Sequence, residues 1–329
     1  MTYNPYQMAL YLLRKIYQKL IKTGNNVTFN IINDADTVSQ LLYEQIIKGK
    51  PLMVSRFGAV EISATKNYIG IIKKSHNIFD FISGKQSEWW WNEGIRYCML
   101  NNAGFFPNDN QSLEKFGELM LRDMSYIDIL ASWQKDEVYF LNHLPHTQFI
   151  RFIYLDPYWS KTPWTKALEN KKILVVHPFA SEIEYQYRHN RERLHQNPDT
   201  LPLFTLYTLK SVQSIGGNEN YASWFDALDY MKSEIDKFDY DICLLGCGAY
   251  GMPLAAHIKR KGKIAIHFGG SLQLLFGIKG KRWETTEYGK SAFSDGIGHY
   301  PELMNKYWIR PYSTSKFNGA EKVEGGCYW

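Results

Sequence analysis

Three short apolar runs constrain the fold more than any other feature of this chain. Ile173-Leu174-Val175-Val176, Asp241-Ile242-Cys243-Leu244-Leu245 and Ile264-Ala265-Ile266-His267-Phe268 recur along residues 171–268, separated by longer stretches with helical patterning. Each run is too short for a helix and apolar at consecutive positions, as expected of a strand covered on both faces. Helical patterning covers 180–195, 221–237 and 249–261, and 203–209 reads as one more strand. Such alternation predicts an α/β fold, a parallel sheet covered by helices.

The first half is more helical. Residues 6–22 place Leu10, Leu13, Ile16, Tyr17, Leu20 and Ile21 on one stripe, with Arg14, Lys15, Lys19 and Lys22 around it and Gly24-Asn25-Asn26 as the stop. A second helix is expected at 36–48, capped by Asp36 or Thr37, then a strand at 51–56 and a helix from Val60. Helices are expected at 87–101 and 111–124, a strand at 127–133, and a short helix at 272–276. This divides the chain into an N-terminal helical segment, 1–48, and an α/β domain, 49–329, with subdomains at 49–170 and 171–329.

A chain of 329 residues, 45% hydrophobic, buries enough surface to fold without a disulfide or metal staple. Its excess of +5 is too mild to imply nucleic acid. Cys98, Cys243, Cys247 and Cys327 form neither a zinc pattern nor a disulfide framework, and read as small buried hydrophobes. No secretory leader and no spanning segment is recognisable, so a cytoplasmic location is expected. The basic amphipathic helix 6–22 has two destinations, the protein's own core or the inner face of a membrane.

Chemistry concentrates at strand ends. Gly246-Cys247-Gly248-Ala249-Tyr250-Gly251 follows the DICLL strand and opens a helix, an order that offers backbone N–H groups to a phosphate or serves as a tight turn. A dinucleotide site would add a carboxylate at the end of the next strand; Ile266-His267-Phe268-Gly269-Gly270 has none, so NAD is not expected. Gly269, Gly270 and Ser271 repeat the glycine-rich theme, either as further phosphate donors or as a plain turn. Lys279, Lys281 and Arg282 with Trp283 fit a diphosphate and a base, or form a solvated basic loop. In the first half, Ser55-Arg56-Phe57-Gly58-Ala59-Val60-Glu61 places a cation and a carboxylate at one strand mouth. Arg56 suits a phosphate clamp and Glu61 a base or metal ligand; a structural ion pair is the alternative. His177 and His267 are candidates for acid–base work. Residues 323–329 end on Gly-Gly-Cys-Tyr-Trp and either fold back over a cleft or plug the core.

The strand-end S-R-F-G-x-x-E resembles the R-[FY]-G-D-G-E signature of bacterial glycosyltransferases with the GT-D fold. The later H-P-F-A-S-E (177–182), G-C-G-A-Y-G (246–251) and H-F-G-G-S-L-Q-L-L-F-G-I-K-G-K-R-W (267–283) resemble the C-terminal part of such domains. The resemblance runs over about 49–329 and is closest at 241–283. It implies a Rossmann-like nucleotide-sugar enzyme of polysaccharide synthesis, with Mn2+ or Mg2+ held by a D-x-E pair. Ala59 stands where that family has Asp and only Glu61 remains, which points to a metal-independent branch or a lost activity. The expected function is transfer of a sugar from a nucleoside diphosphate donor to a glycan or lipid-linked acceptor. Non-catalytic binding of nucleotide sugars or glycans is the main rival, and an NAD-dependent oxidoreductase the second.

Overall fold

The structure, a computed structural model, describes residues 4–21, 30–215, 220–285, 298–316 and 325–329. Among the described residues eight strands form one sheet: β1 (Ile31–Ile32), β2 (Leu52–Ser55), β3 (Ile129–Ser132), β4 (Gln148–Arg151), β5 (Lys172–His177), β6 (Thr205–Lys210), β7 (Ile242–Leu245) and β8 (Ile264–His267). Their order is β1-β4-β3-β2-β8-β7-β5-β6, and neighbouring strands run parallel throughout. The expected parallel α/β architecture is therefore present, and residues 31–32 of the N-terminal segment contribute its edge strand.

Both faces of the sheet are buried along β2, β3, β5, β7 and β8, which is why those strands carry apolar side chains at consecutive positions. Side chains alternate between the faces along each strand. Met53, Leu130, Leu174, Val176, Cys243, Leu245 and Ala265 point to one cluster. There they meet α3 (Ala59–Ile72), α5 (Glu93–Asn101), α6 (Asn110–Met124), α8 (Trp224–Ile235) and α9 (Gly251–Arg260). Val54, Ile129, Ile173, Val175, Ile242, Leu244 and Ile266 point the other way, onto α2 (Ala35–Ile47), α7 (Ala180–Leu194) and α10 (Leu272–Leu275).

Several boundaries differ from the sequence expectation, and caps explain them. The second helix is capped by Asp34, not Asp36 or Thr37: the Thr37 amide donates to Asp34 Oδ1 at 2.8 Å. Asn92 accepts from the amides of Gly94 and Ile95 and so starts α5 at Glu93; Trp89, Trp90 and Trp91 precede the helix. Ser223 delays α8 to Trp224. The first helix is α1 (Pro5–Leu20), and α4 (Ile78–Ser83) packs against it. Lys22, Gly24, Asn25, Asn26, Val323 and Glu324 lie outside the described residues.

Cys243, Cys247 and Cys327 are buried free thiols; Cys98 is half-buried. Among the described residues, no helix is long and apolar enough to cross a membrane.

Candidate active site

From β5 the chain moves outward to β6, whereas from β7 it moves the opposite way to β8. Adjacent strands whose connections diverge leave a crevice beyond their carboxyl ends, the usual ligand position in an open parallel sheet. A cavity of about 200 Å³ opens there. The loops after β2, β5, β7 and β8 converge on it, bringing Arg56, Gly58, Glu61, His177, Gly246, Gly248, His267, Gly269, Gly270 and Arg282 together.

Arg56 is the central cation. Its guanidinium carbon lies 5.1 Å from the Trp133 ring and 4.9 Å from Phe152, and those two rings stack at 5.4 Å. One nitrogen donates to the Phe57 carbonyl at 3.2 Å, and the buried Nε has no partner. The guanidinium also lies against Gly269, where a side-chain carbon would stand 2.6 Å from Nη1. Glycine at φ +75 makes that approach possible. Among the described residues no carboxylate stands within ion-pair distance of Arg56, so aromatic faces fix this cation and leave it able to take an anion.

Gly58 caps α3 without a side-chain bond, and the Glu61 carboxylate folds back over that first turn. A side-chain carbon on Gly58 would stand 2.1 Å from Glu61 Oε2. Burial raises the Glu61 carboxyl above its ordinary range, against the opposing pull of its own amide and of Arg56. Gly248 precedes α9 at φ +58, with open space where a side chain would project.

The two histidines are neutral. Burial lowers both to about 3, and the nearby Arg56 charge adds to the effect at His267. His177 Nδ1 accepts the Phe179 amide at 3.0 Å, which leaves Nε2 as its N–H. His267 Nδ1 meets Ser55 Oγ at 3.2 Å. Its Nε2 edge fills the space beside Gly251, where a side-chain carbon would stand 2.2 Å away. Burial likewise pushes the Cys247 thiol up to about 12, so it carries no thiolate at neutral pH.

Four residues expected at the site lie off the cavity. Gly251 faces His267 rather than open space. The Ser271 hydroxyl bonds Asp156 behind the strand mouth. Lys281 is exposed and Lys279 half-buried, with its amide donating to Ile309. The loop is bonded onto the 325–329 segment, the Lys281 amide donating to the Trp329 carbonyl and the Arg282 amide to the Cys327 carbonyl, and only Arg282 of its three cations reaches the cavity. Arg282 lies 4.9 Å over the Tyr328 ring, Gln273 Nε2 donates to the Tyr328 carbonyl at 3.2 Å, and Trp329 packs edge-on to Phe179 at 5.5 Å. Tyr328 and Trp329 thus do both things the sequence allowed, lining the cleft and packing on the core.

Sequence reading missed two carboxylates that frame Arg56. Glu137, fully buried, accepts from the Ser132 hydroxyl and from the amides of Trp133 and Gln134, and so holds the backbone that carries the Trp133 ring. Asp156 accepts from Tyr300 at 2.6 Å, and burial raises it to about 6. Trp133 stands at the rim, 44% exposed, with its Nε1 donating to Phe57.

A divalent ion would need more than Glu61. Ala59 supplies no second carboxylate, Arg56 sits beside the first, and among the described residues no three His, Cys, Asp or Glu side chains converge as a metal set. The residues present do not fit a metal cage.

Residues 160–275 match the model of the GT-D-like family, described as a GT-D fold-like domain. This stretch is similar to a GT-D-like domain. It supplies His177, Gly246, Gly248 and His267 to the cavity, while Arg56 and Glu61 come from outside the match. The chain is also similar to the solved structure of selenomethionine-substituted domain of unknown function 1792, at 12% identity over 92% of this chain and 99% of that one. The TM-score of 0.33 is too low for that likeness to bear on the fold. No curated protein matches the chain.

Proposed function

We propose that the chain is a glycosyltransferase that moves a sugar from a nucleoside diphosphate donor to a glycan or lipid-linked acceptor. Surface polysaccharide or glycoconjugate synthesis inside the cell is the setting this reading implies. Arg56 carries it: a cation held by aromatic rings, with an unpartnered Nε, in the cavity of a GT-D-like domain. The leaving diphosphate gains negative charge in the transition state, and preorganised donors lower the barrier where that charge develops. Arg56 would supply one donor, and backbone amides of the turns leading into α3 and α9 would supply others. Trp133 offers a flat apolar face for a base or sugar ring.

Glu61 is the proposed base. Its raised carboxyl beside Arg56 is placed to take the proton of an acceptor hydroxyl. His177 contributes a neutral N–H to the donor, and His267 holds the β8 mouth in register. Charge neutralisation is assigned to Arg56 and backbone amides, not to a metal held by this chain. Ala59 favours a second reading, in which the cavity binds nucleotide sugars without turning them over.

Binding of UDP-, GDP- and CMP-sugars, read as thermal shift with and without Mn2+, followed by donor turnover, tests the assignment. A donor should bind and be consumed, and Glu61→Gln should cut turnover by roughly 10² while leaving binding intact. Binding without turnover in the unaltered protein would select the second reading. Absence of binding by every donor would overturn both.

A further inference from the structure

The first helix turns its apolar side away from the protein. The side packed on the body carries Leu10, Tyr11, Arg14 and Tyr17. Tyr11 meets Phe81 at 5.8 Å and Trp90 at 6.0 Å, Arg14 lies 4.9 Å over Phe81, and Tyr17 meets Phe79 at 6.0 Å. Leu12, Leu13, Ile16 and Leu20 face the other way and are between 45% and 78% exposed. At the helical period these four fall within an arc of roughly 100°, so they form a strip rather than scattered contacts. Phe79, 60% exposed and touching Tyr17, extends the strip onto α4.

Cations predominate on this surface. No Asp or Glu precedes Asp34 in the sequence. Lys15 and Lys19 are exposed on α1 at the Leu12 edge of the strip, and Lys73, Lys74 and Lys85 are exposed in the segments flanking α4. Of the acids nearby, Glu88 is occupied by Tyr11 and Ser87, and Asp80 begins α4. A second copy of this chain would bring the same lysine-bearing helix to the contact, with no Asp or Glu on α1 to pair with Lys15 and Lys19. An anionic lipid surface instead accepts the apolar strip and pairs the lysines with headgroup phosphates.

We propose that α1 and the start of α4 dock flat on an anionic bilayer, with Leu12, Leu13, Ile16, Leu20 and Phe79 entering the acyl boundary. The inference is independent of the transferase reading. It is tested by co-sedimentation of the full chain with phosphatidylcholine vesicles, with and without phosphatidylglycerol, at low and high salt. Binding should require phosphatidylglycerol and weaken with salt. Lys15→Gln with Lys19→Gln should lower partitioning by roughly 30-fold. Ile16→Glu with Leu20→Glu should abolish it without lowering the melting temperature, since both positions are exposed. Absence of binding to anionic vesicles overturns the proposal. So does binding that both double variants retain, a large melting loss in Ile16→Glu with Leu20→Glu, or a dimer in sedimentation velocity that this variant dissolves.

Discussion

Two glycines separate ligand contact from backbone strain. Gly248 at φ +58 and Gly262 at φ +81 both face open space, so alanine meets no protein atom at either position. Gly248 opens α9 at the cavity, whereas Gly262 follows the far end of that helix. Alanine in the left-handed region costs about 1–2 kcal/mol at either site. With an unfolding entropy of about 2.1 cal/mol/K per residue, a chain of 329 residues should lose about 2 °C of melting temperature in each variant. Only at Gly248 does the new methyl enter the space where a diphosphate would approach the start of α9. Loss of one hydrogen bond to a charged oxygen is worth about 1.5–3 kcal/mol, so Gly248→Ala should weaken donor binding by roughly 10- to 150-fold. Gly262→Ala should bind as the parent does. Calorimetric titration of both variants with the donor that stabilises the parent gives the comparison. Equal affinities in the two variants would refute the placement of the diphosphate.

Two further predictions rest on charge. Arg56→Lys keeps the cation but loses the planar fork lying against Trp133 and Phe152, so donor affinity should fall at least tenfold with little change in stability; parent-like affinity would remove Arg56 from the donor site. Stability should fall between pH 7 and pH 5, because His177 and His267 (about 3) and His195 (about 4) resist protons that the unfolded chain binds near 6.5. Each contributes a loss of about 2 kcal/mol over that interval, and Asp156, raised to about 6, returns about 1 kcal/mol because its folded form binds the proton more readily. Glu61 and Glu137, also raised, act in the same sense as Asp156. A net loss of several kcal/mol in urea unfolding is expected, and equal stability at the two pH values would contradict it.

The parts of the fold that were legible in the sequence share one physical cause. β5, β7 and β8 are buried on both faces, so their strands show as unbroken apolar runs followed by glycine or His-Pro. β4, Gln148-Phe149-Ile150-Arg151, buries only its middle pair, and β1 is two residues long; neither shows a period long enough to read. The site divides in the same way. Arg56, Glu61, His177 and the glycine turns sit directly after strands, so the rule that ligands gather at strand ends finds them. Glu137 and Asp156 reach Arg56 from short helical turns after β3 and β4, where local sequence carries no mark of their distant partner. Gly251 and Gly248 look alike in G-x-G-x-x-G, and only the third dimension shows that His267 fills the space beside one and leaves the other open.

The missed carboxylates change how the cavity's charge is understood. Glu61, Glu137 and Asp156 all feel the Arg56 charge, yet burial raises each of the three carboxyls. Glu137 and Asp156 are further occupied by hydroxyl and amide donors that hold them off the cation. Had any one closed onto Arg56, binding a phosphate would first require breaking a desolvated ion pair, a step costing several kcal/mol. Here Trp133 and Phe152 orient the guanidinium instead, Glu137 holds the Trp133 backbone amide, and the Phe57 carbonyl holds the Trp133 Nε1. Glu137 therefore acts by holding the backbone that carries Trp133 rather than by neutralising the cation, and Arg56 meets an incoming anion with its charge unneutralised.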